Sequence, residues 1–311
     1  MIRDQDYVMD LSKVAGVKDI FKNPDIAHLF IHHHKVVASH LVPGLDVQVD
    51  EEKDHVKVKV NVAKGTVIAQ PVHMCFGMMP KEGVQRLVMD VRIEEKSQVG
   101  ILAHCAFPNA VKVQHEMDAV ITIGEGASYS YFERHIHGAS GGVTVLPHAK
   151  IHLLQGAKFR SEFELLKGRA GCIDIDYETT CEKRSVLEMI ARINAKEDDH
   201  ITIRETGHLN GDYSRGVLTS RVAVRDQARA DVYNKLTASG SYARGHVDCT
   251  EIIQDNGRVS ATPIVEVSNP RAHITHEASL GSVDSKQLQT LMARGLTENE
   301  ATDLIIQGLL S

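Results

Sequence analysis

Tryptophan is missing altogether, and aromatic residues make up only 5% of the 311-residue chain. Sugar-binding grooves stack rings on aromatic faces, so this scarcity argues against a polysaccharide-active enzyme. Cysteine is sparse too. Cys75, Cys105, Cys172, Cys181 and Cys249 are an odd set with no C-x-x-C pair, which fits neither a disulfide framework nor a closed structural zinc site. They are expected to be thiols, with Cys75, Cys172 and Cys181 as small core residues in apolar or strand-like surroundings. No run reaches the roughly 18 to 20 apolar residues that a membrane span needs. Arg3, Asp4, Asp6 and Asp10 stand where a secretory peptide would be apolar, so a cytoplasmic protein is expected. Lys and Arg total 35 against 41 Asp and Glu, for a net charge of -6. No global basic field attracts nucleic acid. Phosphate loop, nucleophile elbow, H-E-x-x-H and well-placed G-x-G-x-x-G motifs are all lacking, so any nucleotide chemistry belongs to another chain.

What the chain does have is 42% hydrophobic residues, 23 Gly and 18 His, enough apolar material for a substantial core. Residues 1–45 form a lead-in with helix-compatible pieces at Asp10–Phe21 and Asn23–Phe30, Pro24 suiting a first helical turn. From Asp46 the texture becomes alternating: Val47 and Val49, then Val56, Val58, Val60 and Val62, the period of two that marks strands. Strand-like runs continue to residue 281, among them Val84–Ile93, Tyr129–Ile136, Phe159–Leu166 and Ile173–Thr179. Many are introduced by a small-residue corner such as Gly126-Ala127, Gly156-Ala157, Arg169-Ala170 or Gln227-Ala228. Short strands between Gly/Ala corners, without the Asn-Gly or Asp-Gly of tight hairpins, favour a mainly β fold coiled as a parallel β-helix. An antiparallel sandwich shares the same periodicity. Residues 282–311 read as two helices. Asp284 or Ser282 caps the first and Gly295 stops it; a Thr297/Glu300 capping box opens the second, whose Ala301, Leu304, Ile305 and Leu309 form an apolar stripe. Such a pair can plug the open end of a solenoid or dock a partner, and the two roles are compatible.

Chemistry is concentrated in short histidine clusters: His104-Cys105, His115-Glu116, Glu133 to His137, Gly245 to Glu251, and Ala272 to Ala278. Thiolate is a soft ligand for iron, while imidazole and carboxylate are harder and exchange more readily. A mixed set therefore suits a cluster that forms and then leaves.

Three ordered stretches carry a family resemblance. They are Gly245-His246-Val247-Asp248-Cys249-Thr250-Glu251-Ile252-Ile253, Pro263-Ile264-Val265-Glu266-Val267-Ser268-Asn269-Pro270, and Thr275-His276-Glu277-Ala278-Ser279-Leu280-Gly281. With the tail from Gln287-Leu288 through Arg294-Gly295-Leu296-Thr297 to Ile305-Ile306-Gln307-Gly308, they closely resemble the SufB/SufD family of iron–sulfur cluster assembly proteins. Asn210 to Gly216 is similar more loosely. The resemblance implies a right-handed parallel β-helix between helical segments, acting as a non-enzymatic scaffold for a transient Fe–S cluster. It also implies a SufC-type ABC ATPase docked on the terminal helices, a homodimer or a SufD-like paralogue as second subunit, and apo Fe–S proteins as recipients. Carried over, the family's functional positions fall on Cys249, Glu277 and His276, with His273 as a further metal ligand, and having both the Cys and the Glu makes this a short SufB-like member. A SufD-like partner without its own cluster is the alternative. If residues 272–278 form a regular strand, His273, Thr275 and Glu277 face one side and His276 the other, and Cys249 sides with Val247 and Glu251. Two copies are then needed to complete a site, unless a bulge intervenes.

Overall fold

The computed structural model describes residues 4–310. Helix α1 (Asp4–Ala15) and a short 3-10 turn at Lys18–Lys22 open the chain. The expected helix over Asn23–Phe30 is not formed, because β1 (His28–His32) takes its second half and pairs with β2 (Lys35–His40). All five residues of β1 are buried. A short run buried on both faces, here Leu29–Ile31 between His28 and His32, has no period of two and does not read as a strand. Next come β3 (Leu45–Glu51) and β4 (Val56–Val62), paired antiparallel.

From there the backbone coils, each turn giving one strand to each of two sheets. The turns are β5 (Val72–Gly77) with β6 (Glu82–Ile93), β7 (Gln98–Phe107) with β8 (Lys112–Ile123), and β9 (Ser128–His137) with β10 (Val143–Leu153). Then follow β11 (Lys158–Leu165) with β12 (Cys172–Cys181), β13 (Val186–Ala195) with β14 (His200–Leu209), and β15 (Arg215–Val224) with β16 (Arg229–Ala238). The last two are β17 (Arg244–Ile253) and β18 (Arg258–Val267), then β19 (His273–Ser282). One sheet stacks β19 to β5 through the odd strands and ends on β1 and β2; the other stacks β18 to β4 through the even strands and ends on β3. The fold is thus a parallel β-solenoid of about eight turns, with 57% of the chain in strands. Inward residues of one coil sit on inward residues of the next: Ile173 on Val145, Ile201 on Ile173, and Ala230 on Ile201. Each fully buried aliphatic side chain is worth about 1.5–3 kcal/mol, so this continuous interior column is the main source of stability.

Corners stack as regularly as strands. Gly126, Gly156, Arg184, Tyr213 and Tyr242 all have positive φ, and the amide of Gly126, Gly156, Arg184 and Tyr213 donates to a carbonyl of the next coil's corner. At the opposite corner the Arg169 guanidinium, nearly buried, bonds Asp199, Asp198 and Glu197 of the following coil. Asp199 in turn accepts from the amides of Ala170, Gly171 and Lys196, so no buried charge is left unpaired.

The two ends of the solenoid differ. At the N-terminal end α1 lays Leu11 against Ile20, Phe30, Cys75 and Ala106. At the other end β18 and β19 leave both sheet edges unpaired, and the inward side of this last coil is only partly covered at Val259, Ala261, Val265 and Ile274. Helices α2 (Ser285–Met292) and α3 (Glu298–Leu310) form where their caps predict. The amide of Gln287 donates to Asp284, and Thr297 and Glu300 cap reciprocally. They do not plug the open end. Instead they fold back, and Ile305, Ile306 and Leu310 bury Ala223 and Ile252 on the outside of β15 and β17.

Gly171 and Gly65 separate two costs at the corners. Both have positive φ, +69° and +70°, but a Cβ at Gly171 would strike the Val143 and Gly141 carbonyls, whereas one at Gly65 meets open space. Gly65→Ala should cost about 1–2 kcal/mol, the left-handed penalty alone. Gly171→Ala should cost about 3 kcal/mol or more, because backbone must move. Thermal unfolding midpoints of the two variants check the ordering.

Candidate functional site

The β17–β19 register runs without interruption from Arg244 opposite His273 to Ile253 opposite Ser282. With no bulge, the period of two sorts the candidate residues strictly by face. Outward, Glu277 lies beside Asp248, Thr275 beside His246, and His273 beside Arg244. Inward, Ala278 lies beside Cys249 and His276 beside Val247. One chain therefore does not bring Cys249 and Glu277 together: they occupy opposite faces of the sheet. Cys249 and His276 share the inward face, on neighbouring strands and two residues out of step.

The outward face is wet and polar, with His273 and Glu277 exposed; His276 is exposed as well, because β19 is the last strand and nothing covers its inward side there. His246 Nδ1 is 2.8 Å from Thr275 Oγ1, and Arg221 donates to Asp248 at 2.5 Å. That hydrogen bond and charge hold the Asp248 carboxyl below its ordinary value, so Glu277 stands next to an acid already neutralised by Arg221. His273, His276 and Glu277 make no side-chain ion pair among the described residues, so nothing competes for their donor atoms.

One strand back, on β17, the inward face is dry. Cys249 has no exposed surface, and Asn234 from β16 reaches its sulfur at 3.8 Å. Burial raises the thiol above its ordinary pKa, so Cys249 is held as a thiol and is a poor nucleophile in this arrangement. Glu251 is equally enclosed. Ser220 Oγ donates to its Oε1 at 2.7 Å, while its Oε2 has no partner. Burial pushes this carboxyl up to about 7, against a smaller lowering by Ser220. Glu251 and Ser220 were not singled out as site residues in the sequence, although Glu251 shares the motif and the strand face of Cys249.

A second polar centre lies deeper. The clusters around Cys105, His115 and Glu133 to His137 are scattered in sequence, but β7, β8 and β9 bring Cys105, His115, Glu133, His135 and His137 into one interior group. Coil geometry explains this: Cys105 and His135 face each other across the β7–β9 ladder.

Comparison with known proteins fits this architecture. The family model described as SUF system FeS cluster assembly, SufBD core domain, matches residues 79–309. An iron–sulfur cluster assembly SufBD family protein of Pyrococcus horikoshii is 36% identical over 309 residues, covering 99% of this chain and 94% of that protein. One from Methanocaldococcus jannaschii is 38% identical over 267 residues, covering 86% of this chain and 84% of its own. The likeness to the cluster assembly protein SufB of Bacillus subtilis is local: 39% over 69 residues, 22% of this chain and 15% of that one.

Cysteine exposure gives a direct check on the site. Of the five thiols only Cys172 is partly exposed; Cys75, Cys105, Cys181 and Cys249 are buried. Titration of the native chain with a chromogenic disulfide should report one fast thiol, lost in Cys172→Ser and kept in Cys249→Ser. Fast reaction at Cys249 would show the last coils open. Glu251 predicts a pH effect. Between its unfolded value of 4.5 and about 7 the folded state holds a proton that the unfolded state has lost, so its contribution is full below 4.5 and fades as pH rises through 7. Glu251→Gln lacks that loss, and its melting midpoint should gain on wild type across the same interval.

Proposed function

Since this chain belongs to the SufBD family of SUF-system iron–sulfur cluster assembly proteins, we propose that it is a scaffold on which a nascent Fe–S cluster is built and released, with donors presented where two subunits meet at their last coils. The observation that carries this reading is the last coil itself. It combines two unpaired strand edges, exposed Val267 and Leu280, and exposed His273, His276 and Glu277. Unpaired edges and uncovered apolar residues invite pairing with another sheet, and a second copy meeting this coil about a twofold axis would place two sets of His and Glu donors together. A SufD-like paralogue fits the same edge. The iron and sulfide are cargo, and labile imidazole and carboxylate donors suit a cluster that must move on to apo Fe–S proteins.

Cys249 is the soft donor in this scheme, one coil behind the edge. Reaching it requires the last coil to move. The terminal helices are placed for that: α3 packs on Ile252 of β17, the strand that carries Cys249, and Asp303 pairs with Arg225 just past β15. A SufC-type ATPase docked on α2 and α3 would act directly on those strands, and the chain itself would contribute no ATP hydrolysis. No helix among the described residues is long and apolar enough to cross a membrane, in keeping with assembly in the cytoplasm. The complete enclosure of Cys249 also favours a second reading, in which the chain is a SufD-like partner that shapes the complex without a thiolate ligand of its own.

Anaerobic reconstitution with ferrous iron and sulfide, in the presence of the ATPase, separates these readings. Under the scaffold reading, Glu277→Ala, His276→Ala and Cys249→Ser each lower cluster absorbance by about tenfold. Wild-type yield from Cys249→Ser with loss in His276→Ala supports the SufD-like reading, and wild-type yield from all three removes the site. Leu280→Lys should convert the dimer to a monomer in sedimentation if the last coil is the interface.

A further inference from the structure

Cys105, His115 and Glu133 come from three successive strands, β7, β8 and β9, and meet in the core with one donor atom each, all within 4.8 Å of one another. All three residues are at least 98% enclosed. Their hydrogen bonding is only half satisfied: Glu133 Oε2, His115 Nδ1 and the Tyr131 hydroxyl have no partner. Buried polar atoms left without partners are rare in folded proteins and mark an absent water or ion.

The neighbouring histidines fix where protons sit. His137 Nδ1 lies 2.9 Å from the Arg169 carbonyl, so it carries the hydrogen and donates. Its Nε2 then accepts from His135 Nδ1 at 3.2 Å, and His135 Nε2 faces Glu133 Oε1 at 2.7 Å. That last contact is a short hydrogen bond between the His135 ring and the Glu133 carboxyl. Burial alone would raise the Glu133 carboxyl, but the hydrogen bond and charge of His135 and the nearby His115 outweigh it and hold it below its ordinary value. The Cys105 thiol donates to that same Oε1 at 3.5 Å, and Glu133 Oε2 is left without a partner. His115 offers a buried Nδ1 that no other group of the described residues hydrogen-bonds.

We infer that Cys105, His115 and Glu133 form a buried binding site for one divalent first-row transition-metal ion of the zinc or ferrous class, separate from the last-coil donors. Thiolate, imidazole and carboxylate are the usual ligands of such ions, at about 2.0–2.3 Å. Bringing donors from 4.8 Å to tetrahedral spacing asks for side-chain rotations of about 1 Å. On binding, the Cys105 S–H bond breaks, its proton leaves to solvent and the metal–sulfur bond forms; no electron is transferred. His135, hydrogen-bonded to Glu133, orients that ligand and is in turn oriented through His137 and the Arg169 carbonyl. Because the site is closed on all sides, the ion is loaded during folding or a slow opening of the coils.

The test is refolding of the full chain from denaturant with cobalt(II) as probe, under anaerobic conditions and without sulfide. About one cobalt per chain should be retained after gel filtration, with a thiolate-to-cobalt charge-transfer band, and zinc should displace it. The band should vanish and retention fall by about one equivalent in Cys105→Ser, and retention should fall in Glu133→Gln. Cys249→Ser and Glu277→Ala should keep both, so a failed cluster assay at the last coil leaves this result unaffected. Circular dichroism identifies folded variants; should Cys105→Ser not fold, the charge-transfer band in folded His115→Gln, weakened or shifted, replaces it. A folded wild type that retains no cobalt, or a band that survives in Cys105→Ser and is lost in Cys249→Ser, overturns the site and leaves water as what fills it.

Discussion

Coil-to-coil register is the constraint from which the rest of this structure follows. Each strand pairs residue for residue with the strand one coil before and one coil after, as Ser220, Cys249 and Ala278 do across β15, β17 and β19. Side chains alternate between faces with a period of two, so a position that points inward in one coil points inward in all aligned coils. Within the covered coils burial therefore follows the ladder, and it is lost in the last coil. Cys249 is a dry thiol because it points inward one strand behind that edge, whereas its inward partner Ala278 is exposed. Glu277 is a wet carboxylate because its ladder partner, Asp248, faces out.

The same constraint decides how much was legible in the sequence. Alternating valines announced β3 and β4, Gly/Ala corners announced the coil turns, and both terminal helices begin at the caps their side chains specify. The His28–His32 strand was not legible as such, since a run buried on both faces carries no alternation. The candidate site was half legible. Motif resemblance named Cys249, His276, Glu277 and His273, and strand periodicity correctly put Cys249 and Glu277 in doubt as a single-chain pair. The interior group was seen only as separate clusters. Its signal was available in the coil length: partners across the ladders from β5 to β19 are 28 to 30 residues apart, as with Cys172 and His200, His246 and Thr275, or Arg134 and Glu164. Applied to Cys105, that spacing lands on His135. What no spacing supplies is His115, which reaches the group from the opposite sheet.

Enclosure of polar groups is costly unless they are paired, and the solenoid handles this cost differently along its length. At the Arg169 corner every buried charge has a partner from the next coil. Around Glu133 and Glu251, by contrast, a carboxylate oxygen is left open. Glu205 on β14 is a third such carboxylate, while those of Glu133 and Glu251 share the interior with a cysteine, Cys105 in one case and Cys249 in the other. At Glu133 and Glu251 an open carboxylate oxygen and a soft donor thus share the interior, a combination expected where a local rule is broken for function.

Donors are also segregated by softness. The imidazole and carboxylate groups of the last coil are in water, while the thiols of Cys105 and Cys249 are enclosed. An enclosed thiol is protonated and out of reach of oxidants, whereas exposed imidazole and carboxylate need no such protection. For the two kinds of donor to act on one iron centre, an interior wall has to open. The last coil is where that costs least: it has a neighbour on one side only, its inward residues are partly exposed, and the strand behind it is gripped from outside by α3 at Ile252. The central coils, paired above and below and filled by aliphatic rows, have no comparable weak point, so a metal held at Cys105 would be retained and a cluster built at the last coil would be released.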